Sequence, residues 1–265
     1  MDPISSLQNP RVKDAVKLRD GRQRRQQQRI LIDGVREIGA ALRAGIEFIE
    51  IFVCEPLCHT EESHRLLAEL SQAAAPLVPT TEAVFAKLAF GERAEGIVAV
   101  AVYPSRQLRD LELPVDALIA VLEGIEKPGN VGAVLRSADG AGLAAVIVAD
   151  GGTDLYNPNC IRASLGTIFT LPVRAAATSE VRSWLKAGGW RVVAARVDAS
   201  VDYTAADYRG RTAIGLGSEA AGLSVAWHGS DVTAVRLPML GSADSLNVSA
   251  TAAVLFYESR RQRSL

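Results

Sequence analysis

Little in this chain would let it cross a membrane, build a disulfide framework or hold a nucleoside triphosphate. No apolar run reaches the about 20 residues that a membrane span requires. The first twenty residues are polar and charged, so a signal peptide is not expected. Cysteine is scarce: Cys54, Cys58 and Cys160 cannot all pair within one chain, and a reducing cytoplasm is the expected compartment. There is no GxxxxGK[ST] phosphate loop, and no Ser/His/Asp order with a nucleophile elbow. Cys54, Cys58, His59 and His64 have the chemistry of zinc ligands. Their spacing matches no common finger, Cys54 falls in an expected strand and His64 in an expected helix, so no metal is expected.

What is present suffices for a packed core. With 48% hydrophobic and 22% charged residues over 265 positions, the chain can form one large domain or two ordinary ones. Net charge is −1, yet residues 1–29 hold eight Lys/Arg against three Asp/Glu, a balance of +5 that leaves −6 for the remainder. Arg22, Arg25 and Arg29 would share a helical face, with Arg24 nearby and glutamines between them. This cluster reads either as a solvated helix or as a contact to a polyanion such as nucleic acid.

Residues 1–28 show little apolar periodicity and are expected as a basic extension. Residues 29–103 read as a small α/β unit, with strands at Ile30–Ile32, Phe48–Cys54 and Gly96–Tyr103 and helices at Val35–Ala44, Glu61–Ala74 and Thr81–Leu88. Pro104–Pro114, polar and bounded by prolines, is the expected linker. Residues 115–265 alternate strand and helix. Strands are expected at Leu118–Leu122, Ala145–Ala149, Trp190–Ala195, Ala213–Leu216 and Thr233–Leu237. Helices are expected at about Val131–Ala141, Ser179–Ala187, Ala220–Ala226 and Ser245–Arg261. Strands this apolar, separated by helices, predict an α/β fold with a parallel sheet covered on both faces.

Three constellations carry chemistry. In the first, Glu123 to Arg136, an apolar strand meets a Pro-Gly turn and a helix expected to start near Asn130, placed as its N-cap. Arg136, six residues on among Val134, Leu135 and Ala138, is either a structural partner of Glu123 or Glu126 or a functional cation. In the second, Gly215, Gly217, Glu219 and Gly222 follow a strand. They imitate a dinucleotide fingerprint, but the stretch comes fourth in order and no acid ends the next strand, so the glycines are read as allowing close approach of a ligand. The third runs from Val235 to Gln262: a short strand, a Gly/Ser loop, and a helix whose start is crowded by Ser245, Asn247 and Ser249. Its apolar stripe is Leu246, Ala250, Ala253, Val254 and Tyr257. Asp154–Gly166 is a polar loop entering a short helix that either borders a site or is an ordinary connection.

Together these motifs resemble the SpoU (TrmH-type) family of RNA 2′-O-ribose methyltransferases, in the SPOUT superfamily. Asn130 with Arg136 matches the first motif of that family, and Gly217-Ser-Glu219-Ala-Ala-Gly222-Leu223 matches the second. Leu237-Pro238-Met239, Ser245-Leu-Asn247-Val-Ser249 and the closing Tyr-Glu-x-Arg-Arg-Gln match the third. Residues 29–103 resemble the amino-terminal RNA-binding domain of the family, shaped like a small ribosomal protein of the L-thirty type. Two departures stand out: Asp33-Gly34 in place of the commoner Glu-Gly, and Lys127 where many members carry an acid before the proline.

The resemblance implies a deep trefoil knot, S-adenosylmethionine as cofactor, and homodimers whose active sites draw on both subunits. It implies Arg136, Asn130, Glu219, Ser245 and Asn247 as catalytic residues. Leu216, Gly217, Leu237, Met239, Ser245 and Leu246 would bind the cofactor. Structured RNA would be the substrate, large-subunit ribosomal RNA before transfer RNA, gripped in part by Arg22, Arg24, Arg25 and Arg29. A non-catalytic RNA-binding protein and an oxidoreductase built on Gly215-x-Gly217 are the competing classes.

Overall fold

The computed structural model describes residues 2–72, 75–90 and 95–264. It divides into two units, Met1–Ser105 with Tyr156–Thr170, and Arg106–Leu155 with Leu171–Leu265.

The first unit opens with two helices rather than a loose lead-in. α1 (Pro10–Lys17) starts on Asn9, whose side chain accepts from the Arg11 amide, with Pro10 in the first turn where its missing N–H costs nothing. α2 (Gly21–Gln27) is capped by Asp20. Val12, Ala15 and Leu18 are buried with Leu31, Phe52, Phe85 and Val98, so the expected amino-terminal extension is part of this core. The buried positions come only about once per turn, too sparse to stand out among the arginines and glutamines.

There follow β1 (Arg29–Asp33), α3 (Val35–Arg43), β2 (Phe48–Val53), α4 (Glu61–Leu70), β3 (Leu77–Pro79), α5 (Glu82–Leu88) and β4 (Ile97–Val102). The sheet order is β1-β4-β2-β3, antiparallel except for β2 with β3. The expected helix Glu61–Ala74 stops at Leu70, and its last two residues lie outside the described ones. β3 was not expected: three residues ending in proline carry no alternation to read.

The second unit holds a seven-stranded parallel sheet. β5 (Leu118–Glu123) leads into α6 (Pro128–Ala141) and β6 (Ala145–Ala149). The chain then enters the first unit as α7 (Pro158–Ala163) and α8 (Thr167–Thr170). It returns through β7 (Val173–Ala176), α9 (Thr178–Ala187), β8 (Arg191–Ala195), β9 (Val201–Asp202), β10 (Thr212–Leu216), β11 (Val232–Arg236) and α10 (Val248–Arg263). The order is β7-β6-β5-β10-β8-β11-β9, every pair parallel. β5, β6 and β10 are buried along their whole length, the continuous apolar pattern of a sheet covered on both faces. No helix among the described residues is long and apolar enough to cross a membrane.

Several expectations need correcting. Residues 115–265 are not one uninterrupted body, because 156–170 belong to the first unit; there Arg162 reaches the buried Asp33. The expected linker is anchored: Leu108 and Leu111 are buried in the core of the second unit, and Arg174 donates to the Gln107 carbonyl. Leucines three apart inside a polar stretch account for this. The expected helix Ala220–Ala226 is a turn followed by a single 3-10 turn at Val225–Trp227, because Gly222 takes a left-handed φ of 65° and bonds back to Ser218. β7 and β9 were missed, one being four residues long with an arginine, the other two exposed residues.

Candidate active site

Three loops leave the carboxyl ends of parallel strands, the edge where open α/β sheets bind ligands. They follow β5, β10 and β11 and carry the three constellations.

The first loop delivers Asn130. Lys127 occupies the N-cap position of α6 without a side-chain capping bond, and Pro128 opens the first turn, so Asn130 lies in that turn rather than at the cap. Its amide is therefore not spent on capping, and Nδ2 donates to Glu219 Oε1 over 3.0 Å. The third loop delivers Asn247, the true N-cap of α10. Its Oδ1 accepts from the Ser249 amide at 2.9 Å and the Ser249 hydroxyl at 2.6 Å. That leaves Nδ2 to face the same Glu219 Oε1, at 2.5 Å. The capping bonds thus fix which end of the Asn247 amide the site sees.

Glu219 is the acceptor on which both amides converge. Its other oxygen takes the Lys127 ammonium at 2.8 Å. That hydrogen bond is the main reason its carboxyl is held below the usual range, and the same bond raises Lys127. Glu219 stays ionised at neutral pH and is a poor proton acceptor there. The turn that presents it is closed upon itself: a Cβ at Gly217 would lie 2.0 Å from the Gly222 carbonyl carbon. Gly217 thus serves the approach of backbone to backbone, while Gly215 faces the ring of Trp227 and Gly222 supplies a left-handed φ.

Arg136 stands apart. It lies about 9 Å further along α6 than Asn130, from the helical rise. It is exposed and makes no ion pair or hydrogen bond among the described residues. Neither Glu123 nor Glu126 pairs with it; Glu123 is held by Thr178 and Ser224. Ser245 is likewise exposed, in the loop before α10, and makes no hydrogen bond to the cluster among the described residues. One chain therefore brings together Lys127, Asn130, Glu219 and Asn247, and leaves Arg136 and Ser245 outside.

The loop from Pro238 to Leu246 has the donor chemistry of a nucleoside-type cofactor site. It forms no backbone–backbone hydrogen bond among the described residues. Leu237 and Met239 are half-buried, while Leu240 and Leu246 are exposed. Free amides and carbonyls beside uncovered apolar side chains suit a flat heterocycle with polar edges. Leu216 is buried at the end of β10, which β8 separates from β11 in the sheet.

Of the four arginines expected to meet RNA, Arg22, Arg25 and Arg29 are exposed. Arg24 is not available: it is fully buried and donates to the carbonyls of Leu18 and Arg19, closing the end of α1. Lys127 reads in the sequence only as a departure from a motif, and Glu123 only as a candidate partner of Arg136. A charged residue ending a fully apolar strand was the available signal for Glu123.

The SpoU rRNA methylase family model matches residues 117–257, and an MRM3-like substrate binding domain matches residues 9–99. A solved RNA 2′-O ribose methyltransferase is 45% identical over 100% of both chains, with a TM-score of 0.88. An AdoMet-bound rRNA methyltransferase from Sinorhizobium meliloti is 27% identical over 98% of this chain and 97% of its own, also with a TM-score of 0.88. The 23S rRNA (uridine(2479)-2′-O)-methyltransferase of Streptomyces viridochromogenes is 36% identical over 65% of this chain, and the match spans 63% of that relative.

Proposed function

The chain belongs to the SpoU rRNA methylase family, and on that premise we propose that it methylates a ribose 2′-hydroxyl in large-subunit ribosomal RNA, using S-adenosylmethionine, in the cytoplasm. The observation that carries the reading is the convergence of Asn130 and Asn247 on one oxygen of Glu219, joining residues from all three motifs. S-adenosylmethionine, when bound, supplies an electrophilic methyl group. Backbone groups at Leu216, at Gly217 and from Leu237 to Leu246 would hold it, with Leu237, Met239 and Leu246 as apolar walls.

The residues favour activation of the hydroxyl by placement. An arginine is too basic to accept a proton, so Arg136 serves to orient the ribose or a neighbouring phosphate and to offset developing negative charge. Asn130, Asn247 and Ser245 orient what Arg136 holds, and Glu219 fixes the two amides.

A homodimer is part of this proposal. The expected apolar stripe of α10 is not the one its own unit covers. Val248, Ala252, Leu255 and Phe256 are buried, whereas Ala250 and Tyr257 are exposed and Ala253 and Val254 half-buried. A helix apolar on two faces calls for a second partner, and a second copy would complete a site from which Arg136 stands apart. The trefoil knot belongs to the same reading; β10 and β11 each enter between strands formed earlier in the chain, which favours it. The first unit, with Arg22, Arg25 and Arg29 exposed, would grip the RNA by charge and shape.

Primer extension across 23S and 16S ribosomal RNA and transfer RNA from a strain lacking this gene tests the assignment. The expected result is loss of one 2′-O-methyl stop in 23S RNA, restored by the wild-type gene and not by an Arg136→Ala copy. An unchanged 23S pattern with a stop lost from transfer RNA would move the substrate to transfer RNA.

A further inference from the structure

We propose that Glu123 is a positioning residue for methyl transfer, acting through the turn that presents Gly217 and Glu219; this rests on the function just proposed. Glu123 ends β5 and is buried. Its Oε2 accepts the backbone N–H of Ser224 at 2.6 Å. Its Oε1 accepts the Ser224 hydroxyl and the Thr178 hydroxyl, both at 2.9 Å. Thr178 is held in turn by Asp150, whose Oδ2 accepts its amide at 3.1 Å. A polar strut thus links the ends of β5 and β6, the start of α9, and the far end of the turn that begins at Gly217.

The turn has two fastenings. At one, Ser218 and Gly222 exchange backbone hydrogen bonds. At the other, the Glu123 carboxylate holds Ser224. Glu219 lies between them, and it must meet amides from α6 and α10 within hydrogen-bond distance. A shift of the turn by an ångström would cost a positioned group much of its effect. A carboxylate is suited to this task because it accepts three donors at once without offering one.

The chemistry of the strut defines a discriminating pair of variants. In Glu123→Gln the amide oxygen can still take the Ser224 N–H, while the NH2 group faces two hydroxyls that can turn to accept. In Glu123→Ala the N–H is left without its acceptor. Ser224 has φ −67°, which proline adopts, so Ser224→Pro removes that N–H, together with the hydroxyl that donates to Glu123 and accepts from the Ala226 amide, while keeping Glu123.

The test uses the full-length protein and three readouts: amide hydrogen exchange of residues 217–224, S-adenosylmethionine affinity by calorimetry, and methyl transfer to ribosomal RNA. Glu123→Ala is expected to speed exchange in the turn by about 10- to 100-fold, from loss of a charge-assisted bond. Cofactor affinity should fall about tenfold, and Glu123→Gln should stay within about threefold of wild type on both counts. Ser224→Pro should match Glu123→Ala in affinity, and the double variant should be no worse than either. If Glu123→Ala does not fold, Ser224→Pro set against Glu123→Gln carries the same comparison. Wild-type exchange and affinity in Glu123→Ala or Ser224→Pro would overturn the proposal, as would Glu123→Gln failing like alanine. Exchange reports the strut without any methyl transfer, so a wild-type protein inactive on ribosomal RNA would count against the function and leave the exchange result to judge the strut.

Discussion

Asn247 Nδ2 lies 2.5 Å from Glu219 Oε1, although the two residues belong to different motifs 28 positions apart. The capping bonds from Ser249 to Asn247 Oδ1 leave the amide no other useful orientation. With Asn130 on the same oxygen, Glu219 locks two loops, and its loss should be felt as lost order at the reacting hydroxyl. Glu219→Ala is expected to lower kcat/KM for RNA by about 100-fold, from two charge-assisted bonds, while Lys127→Ala costs less than about tenfold because its ion pair is exposed. Steady-state kinetics on ribosomal RNA check both; equal losses would show that Lys127 itself meets substrate.

Arg136 makes no ion pair or hydrogen bond among the described residues, so its removal separates catalysis from folding. Arg136→Ala should abolish methyl transfer, keep S-adenosylmethionine affinity within about threefold, and change folding stability by less than about 0.5 kcal/mol. A marked fall in unfolding midpoint would reveal a packing role instead.

The four arginines expected to meet RNA divide into Arg24, which builds the fold, and Arg22, Arg25 and Arg29, which are exposed. Arg24→Gln should destabilise the first unit by about 1.5–3 kcal/mol, because the Leu18 and Arg19 carbonyls lose a charged donor. Arg22, Arg25 and Arg29 changed together to Gln should leave stability intact and reduce the salt slope of RNA binding by about 2 units. Urea unfolding and filter binding at several salt concentrations distinguish the two outcomes.

Asp33 predicts a pH dependence of unit stability. Burial pushes its carboxyl up to about 6 from 3.8, against the opposing pull of the Phe90 amide and Arg162. Between about pH 4 and 6 the folded form holds a proton that the unfolded form has released, so stability falls as pH rises through that window. Asp33→Asn should flatten this slope and gain up to about 3 kcal/mol at pH 7. Parallel pH profiles for the two proteins would contradict this.

The parallel sheet was legible because its central strands are unbroken apolar runs, and the site because three motifs each place polar residues after such a strand. What escaped has a common cause. Residues 12, 15 and 18, and 108 and 111, bury too few side chains to show a period against charged neighbours, so a helical lead-in read as an extension and an anchored segment as a linker. The excursion at 156–170 depends on long-range packing that local pattern does not encode. The covered face of α10 could not be told from its open face, since both are apolar. The charge of Glu123 at the end of an apolar strand was legible, but its donors were not, since Thr178 and Ser224 are 55 and 101 positions away.

The central claim is methyl transfer to a ribose oxygen, and alkaline hydrolysis tests it most directly. Purified protein is incubated with S-[methyl-³H]adenosylmethionine and unmodified 23S RNA, and the RNA is hydrolysed in alkali. A 2′-O-methyl group blocks cleavage at its own phosphodiester, so the account predicts that the label appears in a single alkali-resistant dinucleotide, and not at all with Arg136→Ala. Label recovered in mononucleotides, which would place the methyl on a base, would contradict it.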